Sequence, residues 1–150
     1  MLVFVLGLLL VVCPLPLARP ATSAWWGDRE RSAWSGGARL SRGGSVLAAL
    51  ADVGTAWLVW DAQGWGLPLY LWAAHVALAP MWWALLLGRR RFSASFTVLC
   101  ADLTAMALTL AAFAVFEPTA GWLFVIPVVW TTYLGVVSFV LWQANQPSRH

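Results

Sequence analysis

Three ionisable side chains, Asp52, His75 and Asp102, stand inside otherwise apolar runs of this chain. Such groups are costly at membrane depth, so they face the interior of a helix bundle or a wet cavity. The functional reading is a ligand contact or a proton-linked site. The alternative is a neutral, hydrogen-bonded structural group. For His75 the structural reading is the stronger, because no second His or Cys stands near it to build a metal site. Cys13 and Cys100 are too far apart for a disulfide framework or a ligand spacing and read as small packing residues. No nucleophile–base pair, metal cluster or phosphate loop appears, so a conventional enzyme is not expected.

Tryptophan is the next reactive surface, with 12 Trp beside 7 Phe and 2 Tyr. Trp25, Trp26, Trp60, Trp65, Trp122 and Trp142 fall near helix ends, where an aromatic belt meets the membrane interface. Trp57, Trp72, Trp82, Trp83 and Trp130 lie deeper or close together. A deep indole offers a flat apolar wall and one N–H, which suits a planar ligand.

The elements that must hold these residues follow from composition. The chain of 150 residues is 61% hydrophobic and 10% charged, far from the soluble norm. Disorder is excluded, because so much apolar surface does not stay in water. A spanning helix needs about 20 mostly apolar residues. Five stretches approach that length, at 2–17, 45–60, 67–87, 92–116 and 122–142. They are broken by Gly64-Trp65-Gly66, by Gly88-Arg89-Arg90-Arg91 and by Glu117-Pro118, and the long polar stretch is 19–44. The expectation is one domain over 1–150, an all-α membrane protein built as a five-transmembrane-helix bundle. Glu117, at a helix end, is expected to be solvated.

Charge placement supports five spans. All nine basic residues are Arg, at positions 19, 29, 31, 39, 42, 89, 90, 91 and 149. Under a five-span plan every one lies on the same side, and positively charged loops favour the cytoplasm. The N-terminus is then outside and the C-terminus inside. Basic charge is therefore read as topology, with the lipid bilayer and no nucleic acid as partner. Residues 1–17 also resemble a signal peptide, with Ala21-Thr22-Ser23-Ala24 as a cleavage region. A retained helix is preferred, because a positive leader is missing and cleavage would move five Arg outside.

Small residues let membrane helices approach closely. Ser93, Thr97, Ala101, Ala105 and Thr109 recur every four positions and predict a helix–helix seam, either within the bundle or between two copies. Gly44, Ala48, Asp52 and Ala56 share that spacing, which turns Asp52 inward. Ala73 and Ala77 give a shorter version on the next helix.

This ordered set resembles the TspO/translocator family, also described as peripheral benzodiazepine receptors and tryptophan-rich sensory proteins. The resemblance runs from the first connection to the last residues. Trp25-Trp26 and Arg31-Ser32-Ala33-Trp34 stand for the family's Trp-Tyr and Lys-Pro-x-Trp loop. Gly54-Thr55-Ala56-Trp57-Leu58-Val59-Trp60 is similar to its Gly-x-Ala…Leu-Val-Trp stretch. Leu71-Trp72, His75, Ala79, Trp82 and Gly88-Arg89-Arg90 occupy the places of Leu-Tyr-x-x-Gln…Asn-x-x-Trp and Gly-x-Arg. Ala120-Gly121-Trp122-Leu123-Phe124-Val125, Trp130, Ser138 and Trp142-Gln143-Ala144-Asn145 follow the last helix. Departures are Gly36-Gly37 for Pro-Pro, Val46 for a Trp, and His75, Ala79 and Trp83 for Gln, Asn and Pro. Pro127 is shifted by one place, and Ser138 replaces Asn. The Tyr-to-basic pattern linked to cholesterol is missing after Tyr133.

The resemblance implies a homodimer that binds porphyrin, haem or sterol-like apolar molecules, with no required cofactor. It implies a ligand site at Trp34, His75, Trp82, Trp83, Trp130 and Ser138. Trp34, Trp82, Trp83 and Trp130 would stack on a tetrapyrrole, His75 would hydrogen-bond it or ligate its iron, and Arg39 or Arg42 would meet its propionates. Sensing, regulation and transport are the roles it implies. A bacterial inner membrane is the expected location, or the mitochondrial outer membrane in a eukaryote. Two other classes stay open. One is a small proton-linked transporter using Asp52 and Asp102 as a relay. The other is a light-dependent porphyrin-degrading enzyme, against which Val46 counts.

Overall fold

The computed structural model describes residues 37–85 and 92–144. The first apolar stretch, Trp25, Trp26, Trp34 and Arg89 to Arg91 lie outside them. Four helices make up the described chain: α1 (Gly37–Gln63), α2 (Leu67–Trp83), α3 (Phe92–Phe116) and α4 (Pro118–Ala144). Among the described residues there is no strand.

The α1–α2 and α3–α4 links are short for local reasons. α1 ends at Gly64, whose φ of 72° places it in the left-handed region. Its N–H donates to the Trp60 carbonyl at 2.8 Å, closing the last turn of α1. Pro68 then stands in the first turn of α2, where a missing N–H costs nothing. α3 passes to α4 through Glu117 alone, and Pro118 opens α4. Glu117 is half-buried rather than fully solvated.

The helix bounds differ from the apolar stretches in two informative places. α1 begins at Gly37, so the last eight residues of the expected polar loop are helical. Arg39, Arg42, Gly43 and Gly44 mask this start in the sequence, because a helix can outrun the hydrocarbon that selects apolar residues. α4 begins at Pro118, four residues before Trp122. α3 covers the same residues as the fourth apolar stretch. Pro80 and Pro127 lie inside α2 and α4, which membrane helices tolerate when neighbours satisfy the freed carbonyls.

Among the described residues, three segments are long and apolar enough to cross a membrane: Gly43–Gln63, Ser93–Phe116 and Pro118–Val137. α2 is shorter, with 17 residues, or about 26 Å of rise. Large apolar side chains such as Leu47, Leu67, Val115 and Trp122 face outward. In water such a surface would drive aggregation. Against lipid tails it carries no penalty, because the tails are as apolar as Leu.

Packing runs α2–α3, α3–α4 and α4–α1, with only a sparse backbone approach between α1 and α2. One apolar core joins Ala56, Val59, Leu69, Trp72, Val76, Met106, Phe113 and Phe124 near the Gly64 and Glu117 links. A smaller cluster at the opposite half joins Trp82 and Leu99, with Leu134 against them. The seam face of α3 is Ser95, Leu99, Asp102, Met106, Thr109 and Phe113, all buried. Of the two readings of the small-residue stripe, the one within the bundle does not hold. Thr109 is buried and Ala105 half-buried, but Ser93, Thr97 and Ala101 are exposed. On α1 the small face does turn inward, with Ala48, Asp52 and Ala56 buried.

Candidate functional site

Asp52, His75 and Asp102 converge from three helices into one buried cluster. Their exposures are 2%, 4% and 3%. His75 Nδ1 and Asp102 Oδ1 are 2.6 Å apart, the short separation of a charge-assisted hydrogen bond. On the other side of the ring, His75 Nε2 lies 3.6 Å from Asp52 Oδ2, within ion-pair reach but too long for a hydrogen bond. The indole of Trp72 donates its Nε1–H to Asp52 Oδ1 at 3.1 Å. Asp52 Oδ2 accepts no hydrogen bond.

The surroundings explain how the cluster is held. α1 and α2 approach sparsely, and the large indole of Trp72 fills that width while its N–H anchors Asp52. Thr55 donates to the Asp52 carbonyl at 2.8 Å, one turn along α1. From α4, Phe124 presents its ring to His75 edge-to-face, with centroids 6.2 Å apart. The cluster therefore forms a polar layer between the larger core and the Trp82–Leu99 cluster.

The convergence has a signal in the sequence. Asp52 lies twelve residues before Gly64, and His75 lies eleven after it. A tight antiparallel turn at Gly64 sets both at one depth. Asp102 lies on the next antiparallel helix. The role of Trp72 as the donor to Asp52 had no such signal, because it depends on rotation about the helix axes. We expect Trp72→Phe to keep the packing and leave Asp52 with neither oxygen bonded. The cost should be about 1–3 kcal/mol, read as an earlier thermal loss of helical circular dichroism in detergent.

The other expected site residues divide. Trp82 is buried against Leu99, and its backbone carbonyl accepts from Ser95 Oγ at 3.3 Å. Trp130 is half-buried at the α1–α4 seam and donates from Nε1 to Ser45 Oγ at 3.2 Å. Its ring lies over Gly44, where a Cβ would meet ring carbons at 2.2 Å, so only glycine fits beneath it. Trp83 closes α2, and Ser138 sits on α4. Trp82, Trp83, Trp130 and Ser138 all belong to the half of the bundle away from the Gly64 and Glu117 links. His75 stands about 10 Å deeper along α2 than Trp82, seven residues at the helical rise. Its two nitrogens both face carboxylates. Trp34 lies outside the described residues. Among the described residues no group of His, Cys, Asp and Glu is arranged to hold a metal ion.

No curated protein matches the chain. The sequence profile of the TspO/MBR family matches residues 3–143, nearly the whole length. With its apolar, outward-facing helices, the chain is a multi-pass integral membrane protein and belongs to the TspO/MBR family.

Proposed function

We propose that this membrane protein binds a porphyrin, haem or sterol-like apolar molecule within its bundle and serves a sensory, regulatory or transport role. The family match over residues 3–143 carries the reading. The collection of Trp82, Trp83 and Trp130 in one half of the bundle supports it, because flat apolar side chains suit a flat apolar ligand. Trp34 and Ser138 complete the proposed contacts. His75 forms the polar floor and holds no iron in this reading, since both of its nitrogens already face carboxylates. The first apolar stretch supplies a fifth spanning helix, with the N-terminus outside and the C-terminus in the cytoplasm of a bacterial inner membrane. The protein forms a homodimer, which the exposed Ser93, Thr97 and Ala101 support.

Titration of the detergent-solubilised chain with protoporphyrin, and in parallel with a sterol, tests the reading through tryptophan fluorescence. Saturable quenching at micromolar porphyrin is expected. Trp130→Leu should weaken it about threefold to tenfold, the worth of one aromatic contact. Wild-type fluorescence that neither compound changes would exclude the proposal.

A further inference from the structure

With both carboxyl groups ionised, the buried cluster would be one positive charge short of neutrality. Two carboxylates, Asp52 and Asp102, face one imidazole, and His75 supplies at most a single positive charge. The groups facing the cluster from each helix are Asp52 on α1, His75 and Trp72 on α2, Asp102 on α3 and the uncharged Phe124 on α4. The remaining described carboxylates stand at helix ends. Asp61 is roughly 13 Å of helix rise from Asp52, and Glu117 roughly 22 Å from Asp102. Arg42, near the start of α1, is roughly 15 Å of rise from Asp52. Cys100 is exposed, and the Tyr133 ring lies tilted against Trp130.

A net negative charge in hydrocarbon is strongly unfavourable, so the deficit needs a cation. The geometry shows where. Asp102 is already bonded to His75 at 2.6 Å. Asp52 is held at one oxygen by Trp72, while its buried Oδ2 accepts nothing and stands 3.6 Å from His75 Nε2. We propose that the cluster is an intramembrane proton-binding site, with the exchanging proton on Asp52 at Oδ2 and His75 held by Asp102. A proton from water converts the Asp52 carboxylate to the neutral acid. Its release leaves the α1–α2–α3 seam with one uncompensated negative charge. This assignment is independent of the ligand that the bundle binds.

Infrared difference spectroscopy of the full chain in lipid nanodiscs, stepped through pH, tests it. A protonated-carboxyl stretching band should be present in the wild type and vanish in Asp52→Asn, and Asp102→Glu should leave it in place. Should Asp52→Asn fold poorly, Asp52→Glu keeps the test open, because it should shift the band rather than abolish it. Asn resembles the neutral acid, so Asp52→Asn should melt no earlier than the wild type. High sodium at fixed pH should leave the band unchanged. The proposal is overturned by a band that survives Asp52→Asn or that shifts in Asp102→Glu and not in Asp52→Glu. A wild type lacking the band overturns it too, as does displacement of the band by sodium, which would make the occupant a metal cation.

Discussion

Asp102→Ala is expected to destabilise the bundle by about 3–5 kcal/mol, the cost of removing one partner from a buried, hydrogen-bonded charged pair. The carboxylate lies 2.6 Å from His75 Nδ1, and both residues are almost fully enclosed. Without it, the imidazole faces a cavity on one side and a distant Asp52 oxygen on the other. Water cannot readily make good the loss at the centre of a membrane bundle. The loss should appear as an earlier thermal transition in a fixed detergent, followed by circular dichroism. A second exchange separates a lost interaction from a stranded group. In Asp102→Leu with His75→Leu, both polar groups are gone, and replacing a buried ion pair by apolar side chains is often neutral or stabilising. The double variant should therefore melt later than Asp102→Ala. If Asp102→Ala melts together with the wild type, the pair does not hold the bundle.

How far the sequence reveals this arrangement depends on the kind of force involved. Lipid selects apolar residues, so α3 is legible from hydropathy, and Asp52 is legible as inward from the small residues around it. Helix ends that leave the hydrocarbon escape that selection. The α1 start at Gly37 lies among Arg and Gly residues that read as loop. Which seam the small-residue stripe on α3 serves is not legible, for a related reason. Small residues permit close approach but do not name the partner, and inside the bundle α3 is packed by Leu99, Met106 and Phe113 around Asp102 instead. The depth match of Asp52 and His75 follows from the turn at Gly64, whereas their contact with Trp72 depends on helix rotation. No periodicity encodes that rotation. The aromatic residues proposed to meet the ligand are legible as a group through family resemblance. The way Trp130 rests on Gly44 is not, since the two are far apart in the chain.

Two glycines that look alike in sequence should respond in opposite directions. Gly121 sits in the first turn of α4, just after the one-residue link from α3. A Cβ there would stand 2.6 Å from the Ala114 Cα and 2.9 Å from its backbone nitrogen. Backbone cannot swing aside as a side chain does, so Gly121→Ala must part α3 from α4 at the corner. The α4 helix gains about 1 kcal/mol of propensity from the same change. Overpacking typically costs about 1–3 kcal/mol, and rigid backbone places this contact at or beyond the top of that range. Net destabilisation of about 2 kcal/mol or more is expected. The separation should also disturb Phe113 and Phe124, whose rings meet edge-to-face 5.2 Å apart beside the corner. Gly54, inside α1, is exposed, and a Cβ there meets nothing within 4 Å. Gly54→Ala should therefore collect the propensity alone and stabilise the chain by up to about 1 kcal/mol. Thermal transitions of the two variants, measured in one detergent, should fall on opposite sides of the wild type. Equal shifts would mean that intrinsic propensity governs both sites and that α3 and α4 do not make the close approach at Gly121.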